Sequence, residues 1–127
     1  MANQNQQGLR RIWNAMFYSL AGLKSTWKNE AAFRQESVLT LVLIPAAFWV
    51  GGGAVEYVLL IGSCLLVLIT ELLNSAVEAA IDRIGEDRHR LSGRAKDMGS
   101  AAVLVSLCAA AMTWGLIAYE RFVVLSA

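Results

Sequence analysis

Two carboxylates stand out because they interrupt an otherwise apolar stretch of the chain. Glu71 and Glu78 follow the uncharged run 57–70. An acidic residue at the centre of a membrane-spanning helix costs about 2.5 to 3.5 kcal/mol. Their spacing is close to two helical turns, so both side chains would lie within about 20° of each other on a helix. Such a costly, aligned pair is typical of a functional site.

Three further polar residues fall on the same side of that helix: Asn74, Ser75 and Asp82. Together they form a polar wedge about 100° wide, which must face another helix or a subunit instead of lipid. One alternative is that the wedge only holds helices together, as polar residues often do in bilayers. Five aligned polar residues fit that alternative less well than one would.

Charged residues elsewhere in the sequence would lie near the same membrane surface. Glu30 precedes Arg34 by one helical turn, and Lys96 adjoins Asp97 at the start of an apolar run. Carboxylates beside basic groups suit a hard cation with phosphate held alongside. For Lys96 and Asp97 alone, an exposed charge pair at a helix end is an equal alternative. His89 is a lone histidine in a charged loop, which favours a solvated side chain.

The elements that must position these residues are set by the distribution of charge. The chain has 127 residues, is 57% apolar and carries a net charge of +1, and residues 37–55, 57–70 and 98–119 contain no charged side chain. A small soluble domain needs a charged face on most of its helices, so these windows predict one integral-membrane domain. The near-neutral charge argues against nucleic-acid binding. Cys64 and Cys108 lie in apolar stretches and are interpreted as packing residues.

Helical periodicity then divides the chain into an all-α arrangement. Residues 8–28 place apolar side chains such as Ile12, Trp13 and Phe17 on one stripe and basic ones on the other face, which predicts an interfacial amphipathic helix. Three transmembrane helices are predicted at 37–54, 57–82 and 98–119, with a cytoplasmic loop at 84–95. Pro45 should kink or break the first span, and the glycines at 51–53 should form its far turn.

The basic residues indicate the orientation in the membrane. Ten of the eleven lie either before the first span or between the second and third, and only Arg121 lies elsewhere. With three spans, those two regions share one side of the bilayer, and basic residues collect on the cytoplasmic side. We therefore expect a cytoplasmic N-terminus and a periplasmic C-terminus.

Three sequence blocks carry a resemblance to a known family. They are NEAAFRQE at 29–36, ELLNSAVEAAIDRIG at 71–85 and LSGRAKDMGSAA at 91–102. In type and order they resemble the signature blocks of the small prokaryotic integral-membrane diacylglycerol kinases. The likeness extends from about Gly8 to Tyr119.

This resemblance implies a bacterial inner-membrane enzyme that uses ATP and Mg²⁺ to phosphorylate the hydroxyl of diacylglycerol. It also implies a homotrimeric bundle in which each subunit has three spanning helices and a surface helix. Carried over by position, Glu71 would be the general base, Asn74 would orient it, and Glu30 and Glu78 would hold Mg²⁺. The implied nucleotide contacts are Arg11, Tyr18, Glu30, Glu78, Asp87, Arg88, His89, Lys96 and Asp97. The residues implied to border the lipid substrate are Ala32, Phe33, Arg34, Gln35, Glu36 and Ser100.

Two alternatives remain open at the level of sequence. Relatives with the same signature phosphorylate undecaprenol, so the acceptor lipid could differ while the reaction stays the same. A non-catalytic membrane assembly subunit, in which the polar wedge serves only packing, is the alternative from another class. The chemistry itself needs no Walker loop and no protein-kinase catalytic loop, because phosphoryl transfer depends mainly on positioning and charge neutralisation.

Overall fold

Four long helices account for nearly all of the structure. It is a computed structural model and describes residues 4–85 and 89–126. They are α1 (Gln4–Asn29), α2 (Ala31–Val50), α3 (Ala54–Ile84) and α4 (Arg90–Tyr119), and a π-helical turn at Glu120–Val124 continues α4. Helices α2, α3 and α4 with its extension are each long and apolar enough to cross a membrane. The prediction of an all-α membrane fold with three spanning helices is confirmed.

The turn between α2 and α3 depends on glycine. Helix α2 ends at Val50, and the Gly51 backbone N–H donates to the carbonyl oxygen of Ala47 at 2.8 Å. A Cβ atom on Gly51 would lie 2.8 Å from Cδ1 of the Tyr57 ring, which leaves no room for a side chain. The turn predicted at 51–53 is therefore present. The first spanning helix was expected to reach residue 54, but it ends at Val50. Helix α2 also continues through Pro45 without the break that proline can introduce.

The connection between α3 and α4 is shorter than the loop expected at 84–95. Helix α3 extends to Ile84, and residues 90–95 already belong to α4. The Nδ1 atom of His89 accepts a hydrogen bond from the Leu91 backbone N–H at 3.1 Å, which caps the helix at its first turn. The first turn of α4 contains Ser92 and Gly93, which are weak helix formers, so the cap at His89 explains why the helix begins this early.

The spanning helices are joined mainly through α3, which packs most extensively against α4 and less against α2. Near the glycine turn, Ala47, Val50 and Leu60 form a buried cluster. The indole Nε1 of Trp114 donates to the carbonyl oxygen of Leu60 at 3.1 Å. Further along, the hydroxyl oxygens of Thr70 and Ser106 lie 2.8 Å apart, and Ser106 is almost fully buried. The contacts of Trp114 and Ser106 fix the register of α3 against α4, and that of Ser106 with Thr70 lies directly beside Glu71.

Helix α1 contacts the remaining helices little and leaves its apolar stripe exposed. Ile12 and Trp13 are each 65% exposed. The corner between α1 and α2 is held by Arg34, whose Nη1 donates to the carbonyl oxygens of Trp27 at 2.7 Å and Lys28 at 3.1 Å. An uncovered stripe of this kind is what a membrane interface would cover. The interfacial placement of α1 remains a prediction.

Candidate active site

Glu71 is buried inside the spanning part of α3. It is only 7% exposed, which makes it one of the most buried polar residues of the chain. The carboxyl group of Glu36, on α2, lies next to that of Glu71. Within the described residues, the Glu36 Oε2 atom is buried and has no hydrogen-bond partner. Two facing carboxylates repel each other, so this pair needs a proton, a cation or a hydrogen-bond donor between them.

Asn74 lies one turn beyond Glu71, where α3 meets α4. Its Oδ1 atom is buried without a hydrogen-bond partner among the described residues. The same atom occupies the space that a Cβ on Gly99 would take, and Asn74 Cγ lies 3.3 Å from that Cβ position. The terminal amide of Asn74 is thus pressed against the α4 backbone at a residue that has no side chain.

Lys96 lies at the same end of the helix pair. Its Nζ atom forms an ion pair with Asp82 Oδ1 at 2.7 Å, and it also lies within the electrostatic field of Glu78. The side chains of Lys96 and Asp82 are 43% and 68% exposed, so the pair faces outward. Asp97 and Ser100, the two other predicted site residues of this helix, are exposed.

Glu30 and Glu78, the predicted magnesium ligands, are both half-buried. Glu30 adopts an extended backbone conformation between α1 and α2. Among residues 4–85 and 89–126, no group of three or more His, Cys, Asp or Glu side chains is arranged to hold a metal ion. Mg²⁺ is usually bound by one or two carboxylates together with phosphate oxygens and water. Two carboxylates therefore fit that ion by donor chemistry, and they would need the phosphates of a nucleotide to complete the site.

Arg11 and Tyr18 lie together on the exposed surface of α1. They line a shallow groove of about 430 Å³, together with Arg10 and Asn14. No hydrogen bond or ion pair in the described part of the chain joins this groove to Glu71 or Lys96. In the single chain Lys96 lies near Glu78, and the groove that Arg11 and Tyr18 line is formed by residues of α1.

The residues expected to border the lipid have different surroundings. Arg34 and Gln35 line an apolar groove of about 600 Å³ together with Trp27, Val38, Leu39 and Val42. Phe33 is only 4% exposed and packs inside the chain, whereas Ala32 is exposed. The Arg34 guanidinium is already engaged by two carbonyl oxygens of α1.

The predicted nucleotide contacts between α3 and α4 are only partly described. His89 is exposed, and its Nδ1 atom caps α4. This capping role was not predicted from the sequence. Asp87 and Arg88 lie outside the described residues.

Three features of this site were missed or only partly anticipated from sequence. Gly99 is part of a quoted block, but nothing in its sequence context shows that it faces Asn74. Asp82 was placed on the polar wedge without its partner Lys96. Glu36 was assigned to the lipid border, and its proximity to Glu71 was not anticipated. The one feature of the sequence that could have indicated it is that Glu36 is the last charged residue before the uncharged window 37–55.

The arrangement supplies the parts that proton abstraction and phosphate binding need. A buried carboxylate, shielded from water, suits a general base, and a lysine beside carboxylates suits the charge of a polyphosphate. The two groups lie on adjacent helices, and the contacts around Thr70 and Ser106 fix those helices relative to each other.

Comparison with known proteins identifies the family that this chain resembles. The model of the prokaryotic diacylglycerol kinase family matches residues 17–118. The diacylglycerol kinase of Escherichia coli strain K12 is 52% identical over 122 residues, covering 96% of this chain and 99% of the relative. The Haemophilus influenzae diacylglycerol kinase is 55% identical over 108 residues, 85% of this chain and 92% of the relative. That of Pseudomonas aeruginosa is 53% identical over 114 residues, 90% of this chain and 93% of the relative.

Proposed function

Because the chain belongs to the prokaryotic diacylglycerol kinase family, we propose that it transfers the γ-phosphoryl group of ATP to the free hydroxyl of diacylglycerol. The products are phosphatidate and ADP. The chain is a kinase with three helices that can span a membrane, and it acts as a multi-pass protein of the bacterial inner membrane. The observation that carries the mechanism is the burial of Glu71, 7% exposed, on a spanning helix.

Glu71 is the general base of this proposal. Its carboxylate accepts the proton of the lipid hydroxyl while the hydroxyl oxygen forms a bond to the γ-phosphorus. The bond between that phosphorus and the bridging oxygen of ATP breaks, and ADP leaves. A base held in a water-poor site favours the lipid hydroxyl over water as the acceptor. Asn74, one turn away on the same face of α3, orients the carboxylate.

The nucleotide is held at the cytoplasmic end of α3 and α4. Glu30 and Glu78 are the proposed ligands that would hold Mg²⁺, which would offset the negative charge of the nucleotide phosphates. The ammonium group of Lys96 exchanges Asp82 for phosphate oxygens as ATP binds, and Asp97 contacts the nucleotide nearby. Arg11, Tyr18 and the segment 87–89 are the further proposed nucleotide contacts.

The lipid approaches from the bilayer, along the surface of α2. The apolar groove lined by Trp27, Val38 and Leu39 supports this route, because acyl chains can lie against it while the hydroxyl stays near the polar end. The residues from Ala32 to Glu36, and Ser100, form the proposed border of the lipid site.

The enzyme is proposed to work as a homotrimer with a cytoplasmic N-terminus and a periplasmic C-terminus. The exposed small residues Ala101 and Ala102 on α4 support association, because small side chains let spanning helices approach closely in lipid. The groove lined by Arg11 and Tyr18 is formed by residues of α1, and no described hydrogen bond or ion pair joins it to Lys96, which fits a nucleotide site shared between subunits.

A lipid-phosphorylation assay tests the function. The purified protein is mixed in detergent micelles with radiolabelled ATP, Mg²⁺ and either diacylglycerol or undecaprenol, and the products are separated by thin-layer chromatography. We expect label in phosphatidate. Preferential labelling of undecaprenol would show that the reaction is as proposed but that the acceptor lipid is undecaprenol. No label in either lipid, with the oligomer intact, would favour the assembly subunit.

A further inference from the structure

The contact between Asn74 and Gly99 involves a residue to which no role in the site has so far been assigned. The Asn74 Oδ1 atom takes up the space of a side chain at position 99. The Asn74 Cα atom is 3.7 Å from the same Cβ position, an ordinary contact distance. Only the terminal amide of Asn74 is therefore incompatible with a larger residue at 99.

We propose that Gly99 is a positioning residue for the reaction: by lacking a side chain, it lets the Asn74 amide seat against α4 in one orientation. A carboxamide is planar, with its oxygen and its NH₂ group at opposite corners. When the oxygen is held against the α4 backbone, the NH₂ group remains free to donate. On α3, Glu71 lies three residues before Asn74 and Glu78 four residues after it, so the carboxylates flank this donor.

The buried state of the Asn74 oxygen supports this role. It is one of the few buried side-chain oxygens in the described residues that lack a hydrogen-bond partner. Leaving a buried acceptor unpaired is unfavourable. The oxygen can take this position only because residue 99 has no side chain, so Gly99 sets where the Asn74 amide lies.

The inference rests on the proposed function, because it concerns the residue that orients the general base. Gly99→Ala is the decisive variant. The added methyl group must displace the Asn74 amide, and the displaced atoms belong to the end of a flexible side chain, so the helices keep their packing. Misplacing a group in an active site commonly lowers turnover by about tenfold to a hundredfold. We expect that fall in kcat, with the KM for ATP within about twofold of the parent because Lys96 and Asp82 are untouched.

Gly115→Ala on the same helix is the matched control. A Cβ on Gly115 would meet nothing within 4 Å, so this variant makes the same chemical change with no neighbour to displace. It should keep kcat near that of the parent. Equal losses from Gly99→Ala and Gly115→Ala would overturn the inference, because a general effect of glycine replacement in α4 would then explain both.

A double-mutant cycle separates action through Asn74 from a structural effect. In an Asn74→Ala background the amide is gone, so Gly99→Ala should cause no further loss of turnover. A similar fold-loss in both backgrounds would show that Gly99 acts by another route and would overturn the inference. If Gly99→Ala alone failed to fold and the double variant also failed, the packing of the helices and not Asn74 would be the cause, and the inference would equally be wrong.

A second measurement does not depend on activity. With ¹⁵N labelling at asparagine, the side-chain NH₂ resonance of Asn74, assigned from its loss in Asn74→Ala, should shift in Gly99→Ala and stay unchanged in Gly115→Ala. An unchanged resonance in Gly99→Ala would contradict the inference. If the parent protein phosphorylated no lipid at all, the proposed function would fail, while this resonance would still report whether Gly99 positions Asn74.

Discussion

Lys96 Nζ on α4 lies 2.7 Å from Asp82 Oδ1 on α3, and this ion pair joins the two helices at the end where the nucleotide is proposed to bind. Both side chains are well exposed, and exposed ion pairs contribute little to stability. A contact that adds little to stability can be exchanged for a ligand at low cost. The pair therefore suits a lysine that changes partners when a phosphate arrives.

Two variants of this pair should differ in their effects. Lys96→Ala removes a charge-assisted contact to phosphate and should raise the KM for ATP by about tenfold to a hundredfold. Asp82→Asn keeps the lysine and should change the melting temperature by no more than about 4 °C. Steady-state kinetics with varied ATP and thermal melting in detergent measure the two effects.

Lys24→Ala on α1 is the control for the lysine variant, because it removes the same charge at a position without a proposed role. It should leave the KM for ATP unchanged. If Lys96→Ala and Lys24→Ala had equal kinetics, Lys96 would be an exposed charge at a helix end, the alternative that its sequence position also allows.

Glu71→Gln should abolish turnover without harming the fold. Glutamine has nearly the same shape but cannot accept the hydroxyl proton, and losing a general base costs about a hundredfold to ten-thousandfold in rate. Because Glu71 is only 7% exposed and faces Glu36, removing its charge should leave the melting temperature unchanged or higher. The radiolabel assay and thermal melting, with size-exclusion chromatography for the oligomer, check these outcomes.

The exposed Glu120 provides the control for that change. Glu120→Gln makes the same substitution in the π-helical turn that follows α4, at the opposite end of that helix from Lys96. It should keep full activity. Full activity in Glu71→Gln would remove the proposed base and favour the interpretation of the polar wedge as helix packing.

Arg34→Gln should loosen the corner between α1 and α2. The guanidinium bonds two carbonyl oxygens at the C-terminal end of α1, where a positive charge is also favourable to the helix dipole. Its loss should speed tryptic cleavage after Lys24 and Lys28, because α1 opens more often. Mass spectrometry of a digestion time course measures the cleavage rate.

Arg10→Gln, on the exposed face of α1 and with no described hydrogen bond to another helix, is the comparison for Arg34→Gln. Cleavage after Lys28 should stay slow in that variant. Equal cleavage rates in the two variants would mean that Arg34 does not hold the corner. Its proposed role at the border of the lipid site, which the resemblance implies, would then remain.

The helices could be predicted from the sequence because long uncharged windows and a glycine turn are local signals. The contacts that build the site could not, since they depend on how one helix is rotated and shifted against the next. Glu71 and Asn74 were identified from their alignment on one side of an otherwise apolar stretch, and their roles were implied by the family resemblance. That Asn74 meets Gly99 follows from the register of α3 against α4, which contacts such as Thr70 with Ser106 set. That Glu71 meets Glu36 follows from the separate packing of α2 against α3. The early start of α4 was missed because the cap at His89 is formed by a side chain within a polar segment.

The proposed placement of α1 at the membrane surface leads to a prediction about its two faces. Positions 12 and 14 differ by about 200° around a helix, so they point in opposite directions. Ile12 belongs to the apolar stripe and Asn14 to the polar face. Each is replaced by cysteine in a chain whose Cys64 and Cys108 have been changed to alanine, and an environment-sensitive fluorophore is attached in lipid bilayers.

The label at position 12 should emit at the shorter wavelength of an apolar environment, and the label at 14 at the longer wavelength of water. The same contrast is expected in micelles of a mild detergent, because their interior is also apolar. Equal emission from both positions in bilayers would contradict the interfacial placement. In that case the exposed stripe, with Trp13 and Phe17 in edge contact along it, would need a protein surface to cover it.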